Sequence, residues 1–178
     1  FAFIPNLLSI IRIGLVYPLL TNIYLLNYKV SLIIFVVASI TDALDGYLAR
    51  KLNWQSELGK ILDPVADKLL LSGTIFVLWL SDLIPFYMFF ILIARDVIIL
   101  LGAAFQMTLT DSKAPYPNFL GKFTTIILIV YIAIILLASF LNQESNLVIL
   151  EIFISSVAIF SLVTYAISWI KHVKSINE

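Results

Sequence analysis

Asp42, Asp45, Gly46 and Ala49 stand at i, i+3, i+4 and i+7, so on a helix they share one narrow face. Gly59, Asp63 and Asp67 repeat the device at i, i+4 and i+8 if a further helix begins near Gly59. A short polar connection from Lys51 to Lys60 joins the two segments, which lets the two faces meet and gathers four carboxylates. Four such groups cannot all stay ionised side by side in a medium of low dielectric; either some take up protons or a cation joins them. With oxygen ligands only, no cysteine and no histidine nearby, the cation expected is Mg²⁺ or Mn²⁺, with Ca²⁺ as a substitute or inhibitor.

The small residues matter as much as the acids. Gly46, Ala49 and Gly59 keep the metal-facing surface free of bulk and let a substrate group approach the backbone. Arg50, one step beyond that face, offers a planar fork of donors to phosphate. The plainer reading is that an Asp in a membrane helix pairs with Arg or Lys for packing, and Arg50, Lys60 and Lys68 are available for it. A single Asp does not separate the two readings. Eight positions in register favour the site.

The elements that must hold these residues are set by composition. Of 178 residues, 62% are hydrophobic and 12% charged, against about 25% charged in an ordinary soluble domain. Hydropathy divides the chain into six spans at about 6–27, 30–50, 62–80, 84–107, 119–141 and 147–170, each close to the ~20 helical residues that cross a bilayer core. Polar or Pro-containing breaks separate them: Asn27 to Lys29, Lys51 to Lys60, Ser81 to Pro85, Thr110 to Pro117 and Asn142 to Asn146. Apolar runs without period-2 alternation cannot leave backbone groups unpaired in lipid, so an all-α, polytopic membrane protein is expected: a six-helix transmembrane bundle forming one domain over 1–178. Basic residues gather after the second span (Arg50, Lys51, Lys60), after the fourth (Lys113) and at the C-terminus (Lys171, Lys174). By the positive-inside rule both termini and the acidic site face the cytoplasm, with Lys29 on the outer side.

Other classes are narrowed in the same way. The 11 basic and 11 acidic residues cancel, so no bulk field recruits nucleic acid. The absence of cysteine excludes disulfides and thiolate chemistry. The start shows no short apolar core followed by a small-residue cleavage site, and the first span is expected to stay in the mature protein. His172, the single histidine, lies in a polar C-terminal stretch and reads as solvated, while Trp54, Trp79 and Trp169 read as interface anchors. A cation transporter or channel is the alternative of another class, since membrane carboxylates also line ion pathways. It predicts midplane acids and broken helices. Here the acids cluster beside Arg50, Lys51 and Lys60 toward one face.

The string D-x-x-D-G-x-x-A-R, eight residues, then G-x-x-x-D-x-x-x-D, from Asp42 to Asp67, resembles the complete signature of the CDP-alcohol phosphatidyltransferase family. The resemblance implies a CDP-diacylglycerol donor, divalent metal on its pyrophosphate and release of CMP. It assigns Asp42, Asp45, Asp63 and Asp67 to the metal, and Asp67 also to the role of general base toward an acceptor hydroxyl. Gly46 and Gly59 would admit the cytidine. Asn6 resembles the family's entry to the first helix and is expected either to reach the donor or to cap that helix. A homodimer is implied as well.

The acceptor is read from Arg95 and Asp96 in the fourth span and Lys122 at the start of the fifth. Arg95 and Lys122 are the expected acceptor-binding residues; salt bridging and snorkelling are their plainer roles. Family members that take glycerol 3-phosphate tend to carry a second Arg and a second Lys where this chain has Ala103 and Thr124. Residues 4–15, Asp82 to Pro85 and Ala94 to Val97 are similar instead to members that take phosphatidylglycerol and make cardiolipin. Phosphatidylglycerol is therefore the expected acceptor, with glycerol 3-phosphate, giving phosphatidylglycerophosphate, as the alternative.

Overall fold

The computed structural model describes the backbone of residues 3–51, 59–110, 119–143 and 146–177, and the side chains of 7–42, 44, 63, 65–102, 120–143 and 146–169. Six helices and no strand lie among these residues: α1 (Phe3–Tyr24), α2 (Tyr28–Lys51), α3 (Gly59–Leu80), α4 (Phe86–Thr110), α5 (Phe119–Phe140) and α6 (Val148–Asn177). This is the all-helical membrane architecture that hydropathy predicts. Leu7–Tyr24, Leu120–Phe140 and Val148–Trp169 are long and apolar enough to cross a membrane by composition. The helices α2, α3 and α4 carry the closely spaced charges Asp42 and Asp45, Asp63 and Asp67, and Arg95 and Asp96.

Several helix ends lie a few residues from the sequence expectation, and two of them have identifiable reasons. Helix α1 ends at Tyr24, short of residue 27, because Leu26 takes a left-handed conformation with φ 59° and turns the chain. Helix α6 runs on to Asn177, past residue 170. Hydropathy marks the edge of the hydrocarbon, and a helix does not have to stop there.

The three short connections close in the same way. Asn27 N–H reaches Asn22 O at 2.8 Å, Leu83 N–H reaches Leu78 O at 2.9 Å, and Gln143 N–H reaches Ala138 O at 3.0 Å. The residue before each donor, Leu26, Asp82 or Asn142, has positive φ. This is the Schellman cap, which satisfies carbonyls that a helix end leaves open. Asn and Asp tolerate the left-handed region; Leu does so at a cost of about 1 kcal/mol. Leu26, which is exposed, therefore yields a prediction. Leu26→Gly should stabilise the protein by about 0.5–1 kcal/mol, read as a later midpoint in a denaturing-detergent titration; an unchanged or earlier midpoint would contradict it.

The chain divides into two compact units, residues 1–84 with 132–145, and residues 85–131 with 146–178. In the first, α1 packs on both α2 and α3 around Leu19, Ile23, Phe35, Leu70 and Leu78. A Cβ at Gly73 would lie 3.1 Å from Leu20 Cδ1, so the missing side chain lets α3 approach α1 closely. In the second, α4 packs on α6. Its interior holds a polar cluster in which Glu151 accepts from Tyr87 OH at 3.2 Å and Tyr131 OH at 3.1 Å. Large apolar side chains such as Ile10, Ile33, Leu101, Ile126 and Phe160 face outward, as lipid allows.

Candidate functional site

Helices α2 and α3 belong to the first unit, and α1 lies against both. Arg12 on α1 is fully buried, and its Nη1 lies 2.8 Å from Asp42 Oδ1 and 2.5 Å from Asp67 Oδ1. One nitrogen thus joins a carboxylate of α2 to a carboxylate of α3, and their oxygens turn toward a common point. One helical turn back on the same face, Ser9 Oγ donates to Asp63 Oδ1. Two residues of α1 engage three of the four acids that the spacing singles out.

The electrostatics follow from the burial. The Asp42 and Asp67 side chains are 38% and 42% exposed, whereas that of Arg12 is 0% exposed. The carboxylates therefore lie between a buried cation and an open side. A buried guanidinium is costly unless paired, and here two anions pair it. This arrangement can present carboxylate oxygens to a second cation approaching from the open side. The donors are all oxygen, partly exposed and anionic, which fits a hard dication in kind. Among the described residues no group of three acids or histidines is close enough to hold an ion by itself. The side chain of Asp45, the fourth acid, lies outside those described, as do those of Asn6, Ala49 and Arg50 and the surroundings of Gly46 and Gly59.

Spacing did not reveal Arg12 or Ser9. Spacing offers Arg50, Lys60 and Lys68 as pairing cations, and on the first helix Asn6 alone is a candidate site residue. A signal was present: Arg12 is the one charged residue in the span Leu7–Tyr24, and an intramembrane charge asks for a partner. Glu151 sent the same signal in the sixth span, and its partners are the two phenols of Tyr87 and Tyr131.

In the second unit, Arg95 is buried. Its Nη1 donates to Asp96 Oδ1 at 2.7 Å, and its Nη2 donates to Ser161 Oγ at 3.3 Å and Gly121 O at 3.5 Å. Its Nε is buried with no hydrogen-bond partner among the described residues. A Cβ at Gly121 would lie 3.2 Å from Arg95 Nη2, so glycine permits this approach. Lys122, next in sequence, is exposed. Thr124 is buried and its hydroxyl is bonded to Leu120 O at 2.7 Å.

The fold defines an integral membrane protein, and in its first three helices Arg12 and Ser9 meet three of the acids that the spacing singles out. The model of the CDP-alcohol phosphatidyltransferase family matches residues 2–173, and the chain belongs to this family. It is a transferase of phospholipid biosynthesis, and use of a divalent metal is general in the family. Among its relatives is the CDP-diacylglycerol–glycerol-3-phosphate 3-phosphatidyltransferase of Aquifex aeolicus, 33% identical over 174 residues, covering 95% of this chain and 93% of that protein. The cardiolipin synthases (CMP-forming) of Rattus norvegicus and Homo sapiens are 35% and 34% identical over 81% of this chain. The matched region spans about half, 53%, of the length of those two mammalian proteins.

Proposed function

We propose that the protein transfers the phosphatidyl group of CDP-diacylglycerol to phosphatidylglycerol, forming cardiolipin and releasing CMP. The observation that carries the reaction is the hold of Arg12 on Asp42 and Asp67, which turns carboxylates of two helices toward one point while leaving them partly exposed. Asp42, Asp45, Asp63 and Asp67 would hold Mg²⁺ or Mn²⁺, which when bound supplies neutralisation of the donor's pyrophosphate. Gly46, Ala49 and Gly59 leave room for the nucleotide, and Asn6 and Arg50 are its proposed polar contacts. Asp67 takes the proton of the acceptor hydroxyl as its oxygen bonds to the phosphatidyl phosphorus. The bond from that phosphorus to the CMP oxygen breaks, and CMP carries away the electron pair. The site faces the cytoplasm with both termini on the same side, and the protein works as a homodimer.

Arg95 and Lys122 are the proposed acceptor-binding cations. Lys122 follows directly on the residue whose carbonyl Arg95 engages. A phosphomonoester acceptor with almost two negative charges calls for more cations than these. Thr124 is neutral and its hydroxyl is bonded within its own helix, which supports phosphatidylglycerol. Glycerol 3-phosphate is the second reading, favoured by the near full-length similarity to the Aquifex aeolicus protein. Incubation with labelled CDP-diacylglycerol and each acceptor separately distinguishes them. CMP release should be at least about tenfold faster with phosphatidylglycerol; exclusive use of glycerol 3-phosphate would reverse the assignment.

A further inference from the structure

We propose that α1 forms a third wall of the acidic site, with Arg12 and Ser9 as positioning residues that fix three of the motif carboxylates, Asp42, Asp63 and Asp67, for a divalent ion whose ligand set Asp45 completes; this rests on the functional reading above. The burial gradient makes the case. Arg12 is fully buried behind carboxylates that are 38% and 42% exposed, so a ligand on the open side meets the acids and not the guanidinium. Its effect is therefore exerted through Asp42 and Asp67. Ser9 adds the third acid from the same face of α1, by its bond to Asp63.

In all three acids it is Oδ1 that α1 engages. Such contacts restrict rotation of the carboxyl groups. None of this belongs to the spacing pattern of α2 and α3, because the two positioning residues come from a different helix.

Arg12 exerts two effects of opposite sign on an approaching dication. Its positive charge repels the ion, and its grip on the ligands favours it. The charge is partly screened, because the carboxylates in front of it are open to solvent. Loss of an outer partner of a metal ligand commonly weakens affinity or activity about 10–100-fold. Positioning should therefore dominate.

The test is Mn²⁺ binding to the purified protein in lipid nanodiscs without lipid substrate, followed by electron paramagnetic resonance, alongside steady-state CMP release. Arg12→Met should weaken Mn²⁺ binding about tenfold or more and lower kcat by a similar factor. Arg12→Lys, which keeps a charged nitrogen on a shorter stem, should recover part of both. Ser9→Ala should weaken Mn²⁺ binding about threefold, and Ser9→Thr should restore it. If Arg12→Met does not fold, the Ser9 pair decides. Binding of Mn²⁺ as tight as wild type or tighter in folded Arg12→Met, or in Ser9→Ala, overturns the proposal. A wild type that turns over but has indifferent variants removes the α1 proposal alone. A wild type that neither binds Mn²⁺ nor releases CMP removes the functional reading and the proposal together.

Discussion

Asp67→Asn is expected to lower CMP release about 10³-fold while changing CDP-diacylglycerol binding by less than about threefold. The amide keeps the size of the side chain and one oxygen that can accept from Arg12, so the packing of α1 on α3 should survive. Arg12 also retains Asp42 at 2.8 Å, which leaves the buried guanidinium with an anionic partner. What the substitution removes is the negative charge and the capacity to take a proton. Quench-flow measurement of CMP, paired with donor binding to the same preparation, separates loss of chemistry from loss of substrate. Turnover within a few-fold of wild type would take the base role away from Asp67.

Chelation should have an effect of the same order. Stripping divalent ions with EDTA is expected to reduce CMP formation about 10³-fold, with recovery on adding Mg²⁺ or Mn²⁺ and not Ca²⁺. The selectivity follows from ligand type and geometry. An all-carboxylate ligand set suits a small ion of near-octahedral preference, whereas Ca²⁺ wants six to eight oxygens in a looser cage. The loss should leave the fold intact, since Arg12 already pairs with two of the acids in this structure. Full activity in excess chelator would exclude a metal from the reaction.

Both expectations start from acids that the sequence displayed openly. The spacing of Asp42 with Asp45, and of Asp63 with Asp67, needs nothing beyond helical periodicity, and Gly59, Asp63 and Asp67 do share one helix, α3. The breaks at Asn27, Asp82 and Asn142 were legible as well, because polar residues between apolar runs have few other uses. Their common capping geometry was not legible. Leu26 shows why: its residue type argues against the left-handed conformation that chain reversal imposes on it. The partners of Arg95 were equally hidden, since Gly121 and Ser161 lie on other helices and have no charge to announce them.

The amino-acid order alone determined that this chain is helical, that it belongs in a membrane, and that its acids form stripes on consecutive helices. Those properties depend on local hydrogen bonding and on hydrocarbon thickness, which act within a single helix. Only the tertiary structure decided that Arg12 pairs with both Asp42 and Asp67, that Ser9 engages Asp63, and that two tyrosines satisfy Glu151. The physical reason is the solvent. Lipid is as apolar as a leucine side chain, so hydropathy scarcely distinguishes the inward face of a membrane helix from the outward one. Which faces meet is settled by close packing and by the few buried charges, and these find their partners across the fold.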